Sequence, residues 1–164
     1  MRFTWGSAER SIRREDAGFT LVEVSIITVI IGVLSSIAVP TFLSHTNRAH
    51  TSAAETDIRS VATAMEAYFV DAETYGSVDD LVTSGEDPRI TPGTSIVVVK
   101  QTPSAFCLAA LRNDAVPGTE VELLASAERW FDSAGGGVLP AGTAGCPVTS
   151  GFDAGWQTNV LTAP

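Results

Sequence analysis

GFTLVE at residues 18–23, continued by VSIITVIIGVLSSIAVPTFLS at residues 24–44, is the stretch on which the reading of this chain turns. From Val24 to Ser44 there is no charged residue, and about twenty such residues are what a helix needs to cross a bilayer. The mean hydropathy of +0.20 is high for a chain of 164 residues, and this run is where the excess lies. A membrane-spanning helix is therefore the first expectation. Arg10, Arg13 and Arg14 stand immediately before it, and positive charge on that flank holds a segment in the cytoplasm. The remainder is then expected outside, as the extracytoplasmic part of a single-pass protein.

Three ways of handling such a segment compete: removal as an ordinary secretory signal, retention as a plain anchor, or cleavage in front of the apolar run. Ser36-Ile37-Ala38 is a passable small-x-small site for the first. Glu23 argues against it, because a carboxylate within a membrane helix costs roughly 2.5 to 3.5 kcal/mol at mid-span and less near the end. A group that expensive has a partner or a task, unless it reaches back to the headgroups from one turn inside.

The run Gly18-Phe19-Thr20-Leu21-Val22-Glu23 with its apolar sequel resembles the class III signal of type IV prepilins, and Gly32 and Pro40 stand where many members carry a glycine and a helix-kinking proline. From Gly18 to about Asp71, a third of the chain, the sequence is similar to a pilin N-terminal helix. The resemblance implies a leader of residues 1–18 cut between Gly18 and Phe19 by prepilin peptidase, with N-methylation of Phe19. It implies that Glu23 pairs with the N-terminal ammonium of a neighbouring copy during assembly. Physical chemistry supports the pairing independently: a buried carboxylate becomes tolerable once an opposite charge lies within a few ångströms.

Beyond Leu43 the sequence turns polar at Ser44-His45-Thr46-Asn47-Arg48, and then Ala54, Ile58, Val61, Ala62, Met65, Phe69 and Ala72 recur at three- and four-residue steps. That is amphipathic helix periodicity, and Glu55, Asp57, Arg59, Glu66 and Asp71 fall mostly off the stripe. The expected organisation is a transmembrane and assembly helix over 19–44, its amphipathic continuation over 45–74, and an exported β-rich head over 75–164. Tyr75-Gly76-Ser77 ends the helix, and Gly85, Pro88, Pro92 and Gly93 mark an irregular connection. Residues 95–100 and 105–111 read as strands, 121–127 as a short helix or strand, 130–132 as a further strand and 135–137 as a flexible turn. The fold class is α+β, a long N-terminal helix packed on a small antiparallel sheet.

Cys107 and Cys146 both fall on the exported side, where an even pair reads as a disulfide closing the C-terminal region; by the chain-entropy model it would add roughly 3 to 4 kcal/mol. His45 and His50, five residues apart, share no helical face for a metal. Resemblance to the major pseudopilins of type II secretion implies calcium near the C-terminus, with Asp114, Glu120, Glu122, Asp132 and Asp153 as candidate oxygen donors. Their spacing is not that of an EF-hand loop, a solvated acidic surface is the simpler reading, and no metal or cofactor is expected.

The formal charge is −9. A leader carrying Arg2, Arg10, Arg13 and Arg14 against Glu9, Glu15 and Asp16 takes away one net positive charge and leaves −10, which repels phosphate backbones, so direct nucleic-acid binding is not expected. No catalytic motif is present: Gly135-Gly136-Gly137 lacks the Lys-Ser or Lys-Thr of a phosphate cradle, and no nucleophile elbow or zinc-protease helix occurs. The expected function is a structural subunit of a type IV pilus, polymerised by an assembly machinery in the cytoplasmic membrane into a cell-surface filament of copies of itself. A pseudopilin of a secretion or competence apparatus is the nearest alternative, and a monomeric anchored binding domain a second. The cysteine pair and the Gly-rich tail favour the pilus.

Overall fold

The computed structural model describes residues 18–86, 88–112 and 116–163. The leader up to Ala17 and the candidate donor Asp114 lie outside the described residues. The chain divides into two units that meet at Phe42 and Leu43.

The N-terminal unit is the first part of helix α1, which runs from Leu21 to Ala72. Thr20 opens it: its carbonyl accepts from Val24 N at 3.2 Å, and its hydroxyl accepts from Glu23 N at 3.2 Å. This is the spacing of a capping box, with a hydroxyl at the cap and a carboxylate three residues on. The helical pattern continues through Gly32 and Pro40, although Pro40 has no N–H to offer the carbonyl of Ser36.

In the C-terminal unit the rest of α1 packs on a five-stranded antiparallel sheet of order β4-β3-β2-β1-β5. Its strands are β1 (Thr94–Gln101), β2 (Phe106–Arg112), β3 (Ala127–Asp132), β4 (Gly137–Val138) and β5 (Val160–Thr162), with short helices α2 (Val78–Ser84) and α3 (Glu120–Ser126) in the connections. Ala54, Ile58, Val61, Ala62 and Met65 of α1 are buried against Ile96, Val98, Phe106, Leu108 and Ala110. Side chains alternate between the faces of a strand, and the opposite set, Val97, Val99, Cys107, Ala109 and Leu111, builds a second core with Leu123, Trp130, Cys146 and Trp156. Both faces of β1 and β2 are covered, which is why those strands read as continuous apolar runs and not as an alternation.

Three features differ from the sequence expectations. Asp57 lies on the apolar stripe, buried, because its carboxylate accepts from the Thr91 N–H and hydroxyl, each at 3.0 Å, and so fastens the connection before β1 to the helix. Ala72, placed on the stripe, is exposed. The stretch after Ser77 is not simply irregular: Ser77 and Asp80 form a capping box, and Gly85, at a φ of 86°, closes α2 with Glu86 N donating to Leu81 O at 3.0 Å. A helix this short lies below the length at which periodicity registers, but its caps were visible.

Gly76 is buried where α1 turns into α2, and a Cβ there would lie 2.7 Å from Tyr68 Cε1 and 2.9 Å from Asp80 Cβ. Gly76→Ala is expected to lower stability by about 1 to 3 kcal/mol, the range for overpacking, read as a fall in the thermal midpoint of the head.

Candidate functional site

Two regions carry the residues singled out by sequence. The first is the start of α1. Large apolar side chains from Phe19 to Leu43 are exposed, from 44% at Ile27 to 83% at Leu21. Four of the hydroxyls among them are satisfied by their own helix: Ser25 Oγ donates to Leu21 O, Thr28 Oγ1 to Ser25 O, Ser36 Oγ to Val33 O and Thr41 Oγ1 to Ile37 O, at 2.7 to 2.9 Å. A hydroxyl paired to its own helix backbone in this way can enter lipid without being stranded as a donor. Among the described residues α1 alone is long and apolar enough to cross a membrane. Glu23 sits in its first turn, where the N-terminal end of the helix dipole favours a carboxylate. Gly18 and Phe19 precede the helix and are exposed, which leaves that peptide bond accessible.

The second region is the segment from Cys146 to Asp153. A disulfide joins Cys146 to Cys107 in the middle of the sheet. Asp132, at the end of β3, is fully buried, and four donors converge on its carboxylate: Gly135 N at 3.1 Å, Val148 N at 2.8 Å, Thr149 N at 3.0 Å and Thr149 Oγ1 at 2.6 Å. Burial pushes this carboxyl up, but the Thr149 hydroxyl and the three amides outweigh it and hold the group below its ordinary value. The Lys100 ammonium donates to Ser150 O. Asp153 accepts from Gln101 N at 2.8 Å through its side chain, while its own N–H donates to Val99 O at 3.0 Å.

Four of the candidate calcium donors are thereby located. Asp132 and Asp153 face N–H groups, Glu122 accepts from Gly118 N at 3.0 Å, and Glu120 is exposed in the first turn of α3. Calcium takes six to eight oxygen ligands at 2.3 to 2.6 Å, and among the described residues no three His, Cys, Asp or Glu side chains come together in such a way. These four residues, as placed, do not fit the ion. His45 and His50 are likewise exposed on α1 and bring no ligand set together. Sequence reasoning missed the cap at Thr20, the role of Asp132 as an anchor and the reach of Lys100. Only the first had a local signal, the Thr-x-x-Glu spacing.

Comparison with known proteins agrees with the first region. The family model described as the prokaryotic N-terminal methylation motif matches residues 13–39. The chain is 37% identical over 65 residues to type II secretion system core protein G of Pseudomonas aeruginosa, covering 40% of this chain and 46% of that protein. It is 37% identical over 80 residues to core protein G of Vibrio cholerae, covering 46% and 55%. To the type IV major pilin protein PilA of Myxococcus xanthus it is 38% identical over 58 residues, covering 35% and 26%. The matches thus span about half the length of the two secretion proteins and about a quarter of the pilin.

Proposed function

We propose, for a chain whose N-terminal segment is type IV pilin-like, that it is a filament subunit cut after Gly18 by prepilin peptidase, methylated at Phe19, and polymerised through the helix of residues 19–44. The observation that carries this reading is the exposure of the apolar side chains from Phe19 to Leu43 on a chain whose head closes its own core on both faces of its sheet. Lipid covers that helix before assembly and other copies cover it afterwards. Glu23 supplies the counter-charge for the amine of the adjoining copy, and Gly32 and Pro40 are the positions where the helix bends as copies pack. The leader stays cytoplasmic and the head lies outside the membrane.

The filament is the pseudopilus of a type II secretion-like apparatus. What supports this is the likeness to two core protein G relatives over 40% and 46% of the chain. A type IV pilus is the second reading, supported by the likeness to PilA and by the disulfide-closed C-terminal region. The roles of the two kinds of relative are those of structural subunits, and the chain is proposed to act without catalysis.

Intact mass and N-terminal sequencing of the protein from membrane and sheared-surface fractions test this. Methylated Phe19 is the expected first residue. Val39 would mean an ordinary signal and an intact Met1 a plain anchor, and either would end the filament reading. Polymer retained in the envelope supports the pseudopilus, and polymer released by shear the pilus.

A further inference from the structure

The segment from Cys146 to Asp153 is fastened to the sheet through a disulfide and side-chain and backbone hydrogen bonds. Cys146 is bonded to β2, Val148 and Thr149 donate to Asp132 of β3, Ser150 accepts from Lys100 of β1, and Asp153 both donates to and accepts from β1. Five of eight consecutive residues are thus tied to three neighbouring strands. We propose that this segment closes without a divalent cation: the Lys100 ammonium and the Asp132 carboxylate supply, within one chain, the positive and negative charges that a calcium ion and its ligands would otherwise contribute.

The argument rests on the donors present. A calcium site needs oxygens with free lone pairs directed at a common point. Asp132 instead receives three N–H groups and one hydroxyl, whose positive ends already fill the space in front of its oxygens. An ion entering there would displace those hydrogens and strand buried amides, each of which costs free energy when left unmade. The carbonyl of Ser150 is taken by an ammonium, which repels a divalent cation at close range. Lys100 is the only lysine in the chain, and Gly151 makes room for it: a Cβ at Gly151 would lie 3.1 Å from Nζ, at a φ of 97° that side-chain-bearing residues rarely adopt. The disulfide holds Cys146 in place whether or not an ion is present, so ordering the segment needs less help from a ligand.

The inference concerns the head and stands for either filament, so it can fail while the proposed function survives. The test uses the mature full-length chain in detergent micelles, with amide hydrogen exchange and thermal melting followed in excess chelator and in millimolar calcium chloride. The expected result is an unchanged melting midpoint and unchanged protection of Val148 and Thr149 between the two conditions. Lys100→Met is expected to speed exchange across residues 147–155 by roughly tenfold or more while the β1 and β2 amides keep their protection. A midpoint that rises saturably with calcium overturns the proposal. So does a Lys100→Met protein whose C-terminal segment exchanges as slowly as the parent.

Discussion

Asp132→Asn is expected to destabilise the head by about 3 to 5 kcal/mol with the Cys107–Cys146 bond intact, a fall of more than roughly 10 °C in its melting midpoint. The size follows from geometry. The parent carboxylate accepts four hydrogen bonds in a fully buried position. An asparagine retains one oxygen and sets an NH2 group against N–H donors, so at least one donor pair is left facing another donor out of reach of water. The pH dependence carries the same signature. The carboxyl is held below its ordinary value in the folded state, so its contribution is complete above the unfolded value of about 3.9 and is lost as pH falls through the lower folded value. The parent should therefore lose stability on acidification below about pH 4 more steeply than Asp132→Asn does. Equal slopes for the two proteins would show that the carboxylate is not the anchor of the C-terminal segment. Denaturant titrations at several acidic pH values, with the disulfide verified by mass, read the difference directly.

How far this anchor could be foreseen depends on sequence distance. Asp132 meets Val148 and Thr149, sixteen and seventeen residues away, and no local pattern announces such a pairing; Asp132 reads as one acidic residue among many. The same holds for β5, whose three residues acquire strand form only by pairing with Ser95, Ile96 and Val97 of β1. What was legible is what is local. A charge-free run of membrane length, a stripe recurring every three or four residues and two β-branched or apolar runs each depend on neighbours within a turn or a strand. Hence α1, β1 and β2 were read close to their observed bounds. The short helix α2 lies between these cases, since Ser77, Asp80 and Gly85 spell out both its ends while its seven residues hold too few turns for an apolar period to show. Asp57 reads as a charge off the apolar stripe because its partner, Thr91, belongs to a connection that sequence alone leaves without a position.

Glu23 admits two physical roles, helix capping and charge pairing, and they predict different phenotypes. In the first turn of α1, at the third position after Thr20, a carboxylate suits both the capping box and the helix dipole. In a filament it would also meet the amine of a neighbouring Phe19. Glutamine keeps the hydrogen-bonding shape that the capping box accepts but has no charge, whereas alanine loses both. If charge pairing drives assembly, Glu23→Gln and Glu23→Ala should each be cleaved after Gly18, remain in the membrane and form few or no filaments, with a loss on the order of a hundredfold for a buried charge left without its counterpart, equivalent to about 3 kcal/mol. If the residue serves only to begin the helix, Glu23→Gln should assemble close to the parent level and Glu23→Ala should lose at most a few fold, because a missing cap costs about 1 kcal/mol. Filament yield by electron microscopy, normalised to processed subunit in the same membranes, separates the two. Charge pairing is the role expected to prevail, because capping alone asks no more of a carboxylate than an amide can give, and at the edge of a charge-free apolar run a charge without a partner is the costlier choice.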